Sequence, residues 1–125
     1  MTKTFKDIVA WQYCHRFVLL IYRVTKHFPE DEKFGLVSQF RRAAVSIAAN
    51  IAEGYKKLSR ADKLRFFNMS QGSLEECRYY IILSHDIEYI DDNEFALMEQ
   101  SIDQASYFLN SYCNAVSQNK CITSL

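Results

Sequence analysis

Hydrophobic residues recur along most of this chain at steps of three and four, the spacing that places side chains on one face of an α-helix. Four segments carry the pattern, and short polar stretches separate them. The pattern predicts helices over about residues 5–27, 36–54, 59–89 and 91–116. Their apolar faces are formed by Ile8, Trp11, Val18 and Tyr22; by Leu36, Phe40, Ala43, Ile47, Ile51 and Gly54; by Phe67, Leu74, Cys77 and Ile81; and by Phe95, Met98, Ile102, Ala105, Leu109, Tyr112 and Val116.

Capping residues mark the starts of three of these helices. The pairs with capping-box spacing are Thr4 with Asp7, Ser59 with Asp62, and Asp91 with Glu94. Only 3 glycines and 1 proline interrupt the 125 residues, so the connections between helices should be short, with PEDEK as the first of them. We expect an all-α protein, an antiparallel up-down-up-down four-helix bundle over residues 1–117, followed by a flexible polar tail over residues 118–125.

Cysteine spacing and the N-terminal residues bear on the compartment. Cys14, Cys77, Cys113 and Cys121 form no C-x-x-C pair, and free thiols in a reducing cytosol fit a helical domain of this length best. The N-terminal residues do not have the composition of a signal peptide, and no apolar run approaches the roughly 20 residues of a membrane-spanning helix. We therefore expect a cytoplasmic protein.

The second helix has no charged residue on any side between Ala43 and Ala52. One four-helix bundle covers only part of each helix, so this composition indicates contact with another subunit and hence a homo-oligomer. Gly54 is either a close approach between helices or a C-terminal cap, and the basic loop that follows it favours the cap.

A polar stripe runs beside the apolar face of this helix. Buried hydrogen-bonding side chains on it would fix the register between subunits, and the alternative is that they face solvent in a groove. The members of this stripe are Gln39, Arg42, Ser46, Asn50 and Glu53.

Charges are unevenly distributed, although 15 basic residues balance 15 acidic ones. In the predicted topology, basic residues collect around the loop between helices 2 and 3, and acidic residues collect toward the loop between helices 3 and 4. A basic cluster repeated around an oligomer suits a polyanion, and Tyr55 could stack on an unpaired base. The basic residues are Arg41, Arg42, Lys56, Lys57, Arg60, Lys63 and Arg65; the acidic ones are Asp86, Glu88, Asp91, Asp92, Glu94, Glu99 and Asp103.

Signatures of catalysis and metal binding are weak. No acid lies three residues before His15, His27 or His85, so the Glu-x-x-His pattern of di-metal bundles is missing. The sequence also lacks a glycine-rich phosphate loop and a nucleophile elbow. We expect no metal, no cofactor and no small-molecule substrate.

Several short motifs resemble a known family. FGLVSQFRRAA (34–44), SIAANIAEG (46–54) and GSLEE (72–76) are similar to the pattern of the small bacterial four-helix bundle proteins encoded by intervening sequences within 23S ribosomal RNA genes. The resemblance extends from about Phe5 to Tyr112. It implies a homopentamer with no known catalytic activity and a suspected association with ribosomal RNA.

The chain is also similar to the accessory protein of diversity-generating retroelements, a pentameric barrel that binds nucleic acid through basic residues. The family motifs fall on Arg41, Arg42, Ser46, Asn50, Glu53 and Gly54, and on Gly72, Ser73 and Glu75.

Three functional hypotheses follow. The first is a non-enzymatic, homo-oligomeric RNA-binding protein in which Lys56, Lys57, Arg60 and Lys63 contact phosphates, while Arg41 and Arg42 either join them or bridge subunits. The second is a protein-interaction scaffold whose acidic end, from Asp86 to Asp103, recruits a basic partner. The third is an enzyme that uses Glu53 and Asn50 in a pocket between subunits.

Overall fold

Each of the four predicted segments is a helix in the computed structural model, which describes residues 2–118. The helices are α1 (Val9–Thr25), α2 (Leu36–Tyr55), α3 (Arg60–Asp86) and α4 (Asp92–Ser117), with short 3-10 turns at Phe5–Asp7 and Glu30–Glu32. The described residues contain no strand, so the prediction of an all-α protein is confirmed. The predicted tail over residues 118–125 lies outside the described residues, apart from Gln118.

The helices pack as a four-helix bundle in which α1 contacts α2 and α4, and α3 contacts the same two helices. Residues 56–59 connect α2 to α3 and can span only about 14 Å, far less than the roughly 40 Å length of α3. Helices α2 and α3 must therefore run in opposite directions. The hydrogen bonds Tyr80 to Gln39 and Ser73 to Ser46 agree, because residue numbers fall along α2 as they rise along α3.

The centre of the bundle is a continuous apolar core to which all four helices contribute. Phe17, Phe40, Ile81 and Met98 are fully buried, one from each helix. Phe67 and Tyr112 meet edge to face with ring centres 5.0 Å apart near the end of the bundle where α3 begins. The predicted apolar faces of α2, α3 and α4 therefore point inward. The face predicted for the first helix is wrong at Tyr22, which is 40% exposed, because the buried side of α1 is formed by Ala10, Cys14, Phe17, Ile21 and Val24.

Two predicted boundaries are wrong for local reasons. The capping box of Thr4 and Asp7 is present, but it caps the 3-10 turn at Phe5–Asp7, and Ile8 is extended, so α1 begins at Val9 rather than residue 5. Helix α3 ends at Asp86 rather than Tyr89, because Glu88 adopts a positive φ of 64°. A residue in this left-handed conformation stops the helix, which usually employs glycine there.

Gly54 is a close approach between helices, and the preference for a C-terminal cap is wrong. It is buried inside α2 without a positive φ, and the cap is Lys56. A Cβ atom on Gly54 would lie 2.6 Å from Cε1 of Phe67 and 3.0 Å from Cβ of Phe66. Glycine is needed here because the α3 phenylalanines pack directly against the α2 backbone.

Candidate nucleic-acid interface

The loop between α2 and α3 carries a group of cations, which we call the basic pole: Lys56, Lys57, Arg60 and Arg65. Lys56, Arg60 and Arg65 are exposed, and Lys57 is half-buried. In residues 2–118, the one carboxylate within 4.0 Å of any of these four side chains belongs to Asp62, 3.8 Å from Arg65 in an exposed pair. Lys56, Lys57 and Arg60 therefore have no ion-pair partner among residues 2–118.

Phe66 organises two of these cations. The Lys57 ammonium lies 4.7 Å from the centre of the Phe66 ring, and the Arg65 guanidinium lies 4.8 Å from it. Cations are attracted to the electron-rich face of an aromatic ring, which restrains these two long side chains near the surface. The role of Phe66 could not be predicted from the sequence, because a single aromatic residue beside lysines gives no signal of this arrangement.

Lys63 has a structural role inside the chain, and its predicted phosphate contact stays a prediction. Its Nζ donates a hydrogen bond of 2.6 Å to the carbonyl oxygen of Tyr55, the last residue of α2, and burial lowers the pKa of Lys63. A lysine at this position satisfies a free carbonyl at the helix C-terminus. Tyr55 is itself half-buried, and its hydroxyl donates to the carbonyl of Thr2, so its ring is not a free stacking platform.

Arg41 and Arg42 do not join the basic pole. Arg41 lies 14 residues before the end of α2, about 21 Å at 1.5 Å per residue. Its Nε donates to Oγ1 of Thr25 at 2.9 Å and its Nη2 donates to the carbonyl of Tyr22 at 3.3 Å, so Arg41 fastens the end of α1 to α2. Arg42 is exposed on the same half of α2, and bridging between subunits stays a prediction for it.

Two further lysines, Lys3 and Lys6, lie at the same end of the bundle as the basic pole and were missed in the sequence. The Tyr55 hydroxyl donates to the Thr2 carbonyl at 3.3 Å, which ties the N-terminal segment to the end of α2. Both lysines are exposed. Their position could have been predicted from the topology, because an up-down bundle brings the start of helix 1 beside the end of helix 2.

Acidic residues gather at the opposite end of the bundle. The predicted acids of the α3–α4 connection are joined there by Glu30, Asp31 and Glu32 from the α1–α2 connection. A shallow depression of about 740 Å³ lies among Asp86, Glu88, Asp91, Asp92 and Glu94. Asp103 belongs elsewhere, since it lies along α4 and accepts a 2.7 Å hydrogen bond from Arg78.

The polar stripe of α2 is satisfied mostly within one chain. Asn50 donates from Nδ2 to the carbonyl and to Oγ of Ser46, both at 2.9 Å, and Ser73 on α3 donates to the same Oγ. Gln39 accepts from Tyr80 on α3 at 3.2 Å. The stripe therefore joins α2 to α3. A helical-wheel projection of α2 alone could not have shown this, because the partners lie on another helix. Glu53 is exposed and stands outside this network.

Residues of the second motif are partly unexplained by contacts inside the chain. Ser73 belongs to the network just described, and exposed Glu75 lies 3.4 Å from Arg78. Gly72 is exposed in the middle of α3, and a Cβ there would meet nothing within 4 Å.

Between Ala43 and Ala52, α2 exposes two apolar residues on its outer face, and a contact with another subunit stays a prediction. Val45 keeps 41% of its surface and Ala49 is exposed, while Phe34, just before the helix, is 88% exposed.

Among residues 2–118 the structure contains no cluster of three or more side chains suited to a metal ion. Cys14, Cys77 and Cys113 are buried free thiols, and burial raises the pKa of Cys14 to about 12 and that of Cys113 to about 11. Such thiols stay protonated and unreactive near neutral pH. Cys121 lies outside the described residues. No helix in the described part of the chain combines the length and apolarity required to cross a membrane.

Comparisons with known proteins agree with this architecture. The crystal structure at 1.70 Å of a protein of unknown function from the S23 ribosomal protein family of Bacteroides thetaiotaomicron VPI-5482 superposes with a TM-score of 0.79 and 26% sequence identity, over 87% of this chain and 98% of that one. No curated protein matches the sequence significantly. The model of the family described as 23S rRNA-intervening sequence protein matches residues 6–111. The bundle and its motifs thus place this chain in the family of 23S rRNA-intervening sequence proteins.

Proposed function

We propose that this protein is a non-enzymatic, homo-oligomeric nucleic-acid-binding protein that contacts phosphates through its basic pole. The observation that carries the proposal is the uncompensated charge of Lys56, Lys57 and Arg60, which have no carboxylate within 4.0 Å among residues 2–118. Cations gathered at one end of a molecule of zero net charge create a local positive potential that attracts a polyanion.

The arrangement of the basic pole supports contacts to a backbone rather than to one small anion. Exposed Lys56 and Arg60 reach outward from the loop and the first turn of α3, while Phe66 restrains Lys57 and Arg65. Lys3 and Lys6 extend the positive surface toward the N-terminal segment. Phosphate contacts of this kind fix position and supply affinity without reading sequence.

Ribosomal RNA is the nucleic acid that the comparisons favour. The family description refers to intervening sequences of 23S rRNA, and the similar Bacteroides protein is assigned to a ribosomal protein family. A structured RNA also suits a flat cationic surface, since double-stranded RNA is bound mainly by shape and phosphate contacts.

The proposed homo-oligomer rests on the exposed apolar residues of α2. The family resemblance implies five copies. Val45 and Ala49 are exposed on a helix that has no charged residue between Ala43 and Ala52. Repetition of the basic pole in each copy would multiply the phosphate contacts and raise the avidity for a long RNA.

Fluorescence anisotropy with a structured fragment of 23S rRNA, titrated at several salt concentrations, tests the proposal. The expected result is saturable binding, with a binding constant whose logarithm falls linearly with the logarithm of the salt concentration. The variant Lys57→Glu/Arg60→Glu should bind more weakly and with a smaller salt slope, by about 0.7–0.9 for each lost phosphate contact.

The matched control is Arg23→Glu/Lys26→Glu, which makes the same charge change on exposed residues at the opposite end of the bundle. It should reduce binding much less. Equal losses in the two variants would show that only total charge matters and would overturn the assignment to the basic pole.

A second candidate function is a scaffold that recruits a basic protein through the acidic residues at the end of the bundle opposite the basic pole. The depression among Asp86, Glu88 and Asp91 is the observation that favours it. Pull-downs with and without nuclease treatment separate the two. A basic protein recovered by the unchanged chain after nuclease treatment, and lost in Asp91→Lys/Asp92→Lys, supports the scaffold. RNA recovered without nuclease, with no protein retained after nuclease treatment, removes it.

A further inference from the structure

The geometry points to a specific contact between copies of this chain: an apolar groove on the α1–α2 surface of one copy receives a ridge on α3 of the next copy. This inference rests on the proposed homo-oligomer and names the two surfaces that build it. The apolar groove is lined by Tyr22, Phe34, Val37 and Val45, with Lys33, Arg41 and Arg42 at its rim. The α3 ridge consists of Gly72, Glu75, Tyr79, Ile82 and Asp86.

The apolar groove is large and poorly covered by its own chain. Its volume is about 650 Å³, enough for several side chains. Phe34 is 88% exposed, and Tyr22 and Val45 retain 40% and 41% of their surfaces. Three neighbouring apolar side chains left in water favour a partner that removes them from it.

The α3 ridge offers a matching shape. Tyr79 is 58% exposed and Ile82 is 47% exposed, one helical turn apart on the outer side of α3. Gly72 lies two turns before Tyr79 on the same side. Among residues 2–118 no atom would lie within 4 Å of a Cβ at Gly72, and glycine destabilises a helix interior relative to alanine. Close approach by a neighbouring molecule accounts for the glycine.

Charge selects the α3 ridge over a second groove as the occupant. Lys33 and Arg42 are exposed at the rim of the apolar groove, while exposed Glu75 and Asp86 flank Tyr79 and Ile82 on the α3 ridge. A groove packed against another groove would bring two sets of cations together. A ridge packed into a groove brings opposite charges together, which fixes orientation as well as attraction.

The levels of the two surfaces along the bundle agree. Tyr80 donates a hydrogen bond to Gln39, so the adjacent Tyr79 stands at about the level of Phe40, and Ile82 stands near the level of Val37. These levels fall within the stretch of α2 that lines the apolar groove. A second copy can therefore dock by moving sideways, without a shift along the bundle axis.

Because the two surfaces differ, the contact is heterologous and repeats from copy to copy, closing into a ring when the rotation allows. Every copy then points the same way, so all basic poles lie on one side of the ring. The proposed phosphate surface would be continuous across subunits.

Two single substitutions test the contact by analytical ultracentrifugation of the full chain. Arg42→Glu alters the groove rim and leaves the ridge intact, while Tyr79→Glu alters the ridge and leaves the groove intact. Each variant should sediment at the mass of one chain, 14.7 kDa. An equal mixture should form a pair of about twice that mass, because the intact ridge of the first variant fits the intact groove of the second.

Tyr107→Glu is the control, since Tyr107 is 67% exposed on α4 and belongs to neither surface; it should keep the wild-type mass. If either variant loses helical content by circular dichroism, Val45→Glu and Ile82→Glu replace the pair. A mixture that stays at one chain mass, or variants that keep the wild-type mass, would overturn the contact.

The two proposals fail separately. A wild-type chain that sediments as a monomer would overturn both the contact and the homo-oligomer, whereas wild-type assembly with unaffected variants would overturn the contact alone. In the anisotropy titration the single-chain variants should still bind RNA, because Arg42 and Tyr79 lie outside the basic pole, but more weakly than the assembled wild type, because the avidity of repeated basic poles is lost. Complete loss of salt-dependent binding by the wild type would overturn the proposed function and leave the contact untouched.

Discussion

Ser73 on α3 donates a 2.9 Å hydrogen bond to Oγ of Ser46 on α2, at the point where the two helices cross. The same oxygen accepts from Asn50, one turn further along α2. Two residues from different sequence motifs thus meet through one half-buried hydroxyl. The motifs that identify the family are, at this position, the means by which two neighbouring helices hold their register.

Removal of this contact should cost stability cooperatively. Ser46→Ala leaves the Ser73 hydroxyl without its acceptor and leaves Asn50 Nδ2 with only the Ser46 carbonyl, and it should lower the free energy of unfolding by about 1–2 kcal/mol. Ser73→Ala should cost about 1 kcal/mol. The double variant should lose less unfolding free energy than the two single variants lose together, and the difference, the coupling energy, should be about 0.5–1 kcal/mol. Urea unfolding of the four proteins measures it, and strict additivity would show that the hydrogen bond contributes nothing.

Gly54 should not tolerate a methyl group. Gly54→Ala should lower the free energy of unfolding by about 1–3 kcal/mol, because the new Cβ would overlap Phe67. Shortening the neighbour in Gly54→Ala/Phe67→Leu should recover part of this loss relative to Phe67→Leu alone. Gly72→Ala is the matched control: at low protein concentration it should stabilise the chain by about 0.5–1 kcal/mol.

The double variant distinguishes packing from backbone conformation. A glycine held at positive φ would be destabilised by any side chain, and trimming Phe67 would recover nothing. The absence of a positive φ at Gly54 already favours packing. Thermal unfolding followed by circular dichroism is sufficient for the comparison.

Glu88 should be improved by glycine. Its φ of 64° is unfavourable for a residue with a side chain. In the turn that it forms, the Tyr89 amide donates a hydrogen bond of 2.9 Å to the Ser84 carbonyl. Glu88→Gly should raise the free energy of unfolding by about 0.5–1 kcal/mol, whereas Glu88→Ala should give little change. Equal gains in both variants would instead indicate relief of acidic repulsion at this end of the bundle.

The number and order of the helices and the inward faces of α2, α3 and α4 could be predicted from the sequence, because apolar spacing is a local property. In α1 apolar residues occur on more than one side, so spacing alone selected Tyr22, which is exposed, instead of Phe17 and Ile21, which are buried. The contacts of Lys63, Arg41 and Gly54 could not. Each depends on which side chain or carbonyl from another helix comes within reach, and a wheel drawn for one helix contains no such information. Lys3 and Lys6 were within reach of prediction, since the topology alone brings them to the basic pole.

Basic residues of the α2–α3 region should divide into two experimental classes. Lys63→Met removes the hydrogen bond to the Tyr55 carbonyl and should lower the free energy of unfolding by about 1–2 kcal/mol. Its effect on RNA affinity should be small, because the Lys63 ammonium already has a partner inside the chain. Arg60→Ala should do the reverse, with an unfolding free energy within about 0.5 kcal/mol of wild type and weaker RNA binding.

The two readouts must be measured on the same preparations, by urea unfolding and by anisotropy at two salt concentrations. A stability loss in Arg60→Ala would mean that this exposed side chain has a packing role. An affinity loss in Lys63→Met as large as that in Arg60→Ala would return Lys63 to the phosphate surface. We therefore expect Lys63→Met to lower stability and Arg60→Ala to lower RNA affinity. The Lys63 ammonium already donates to a helix carbonyl, whereas the exposed Arg60 guanidinium has no carboxylate within 4.0 Å among residues 2–118.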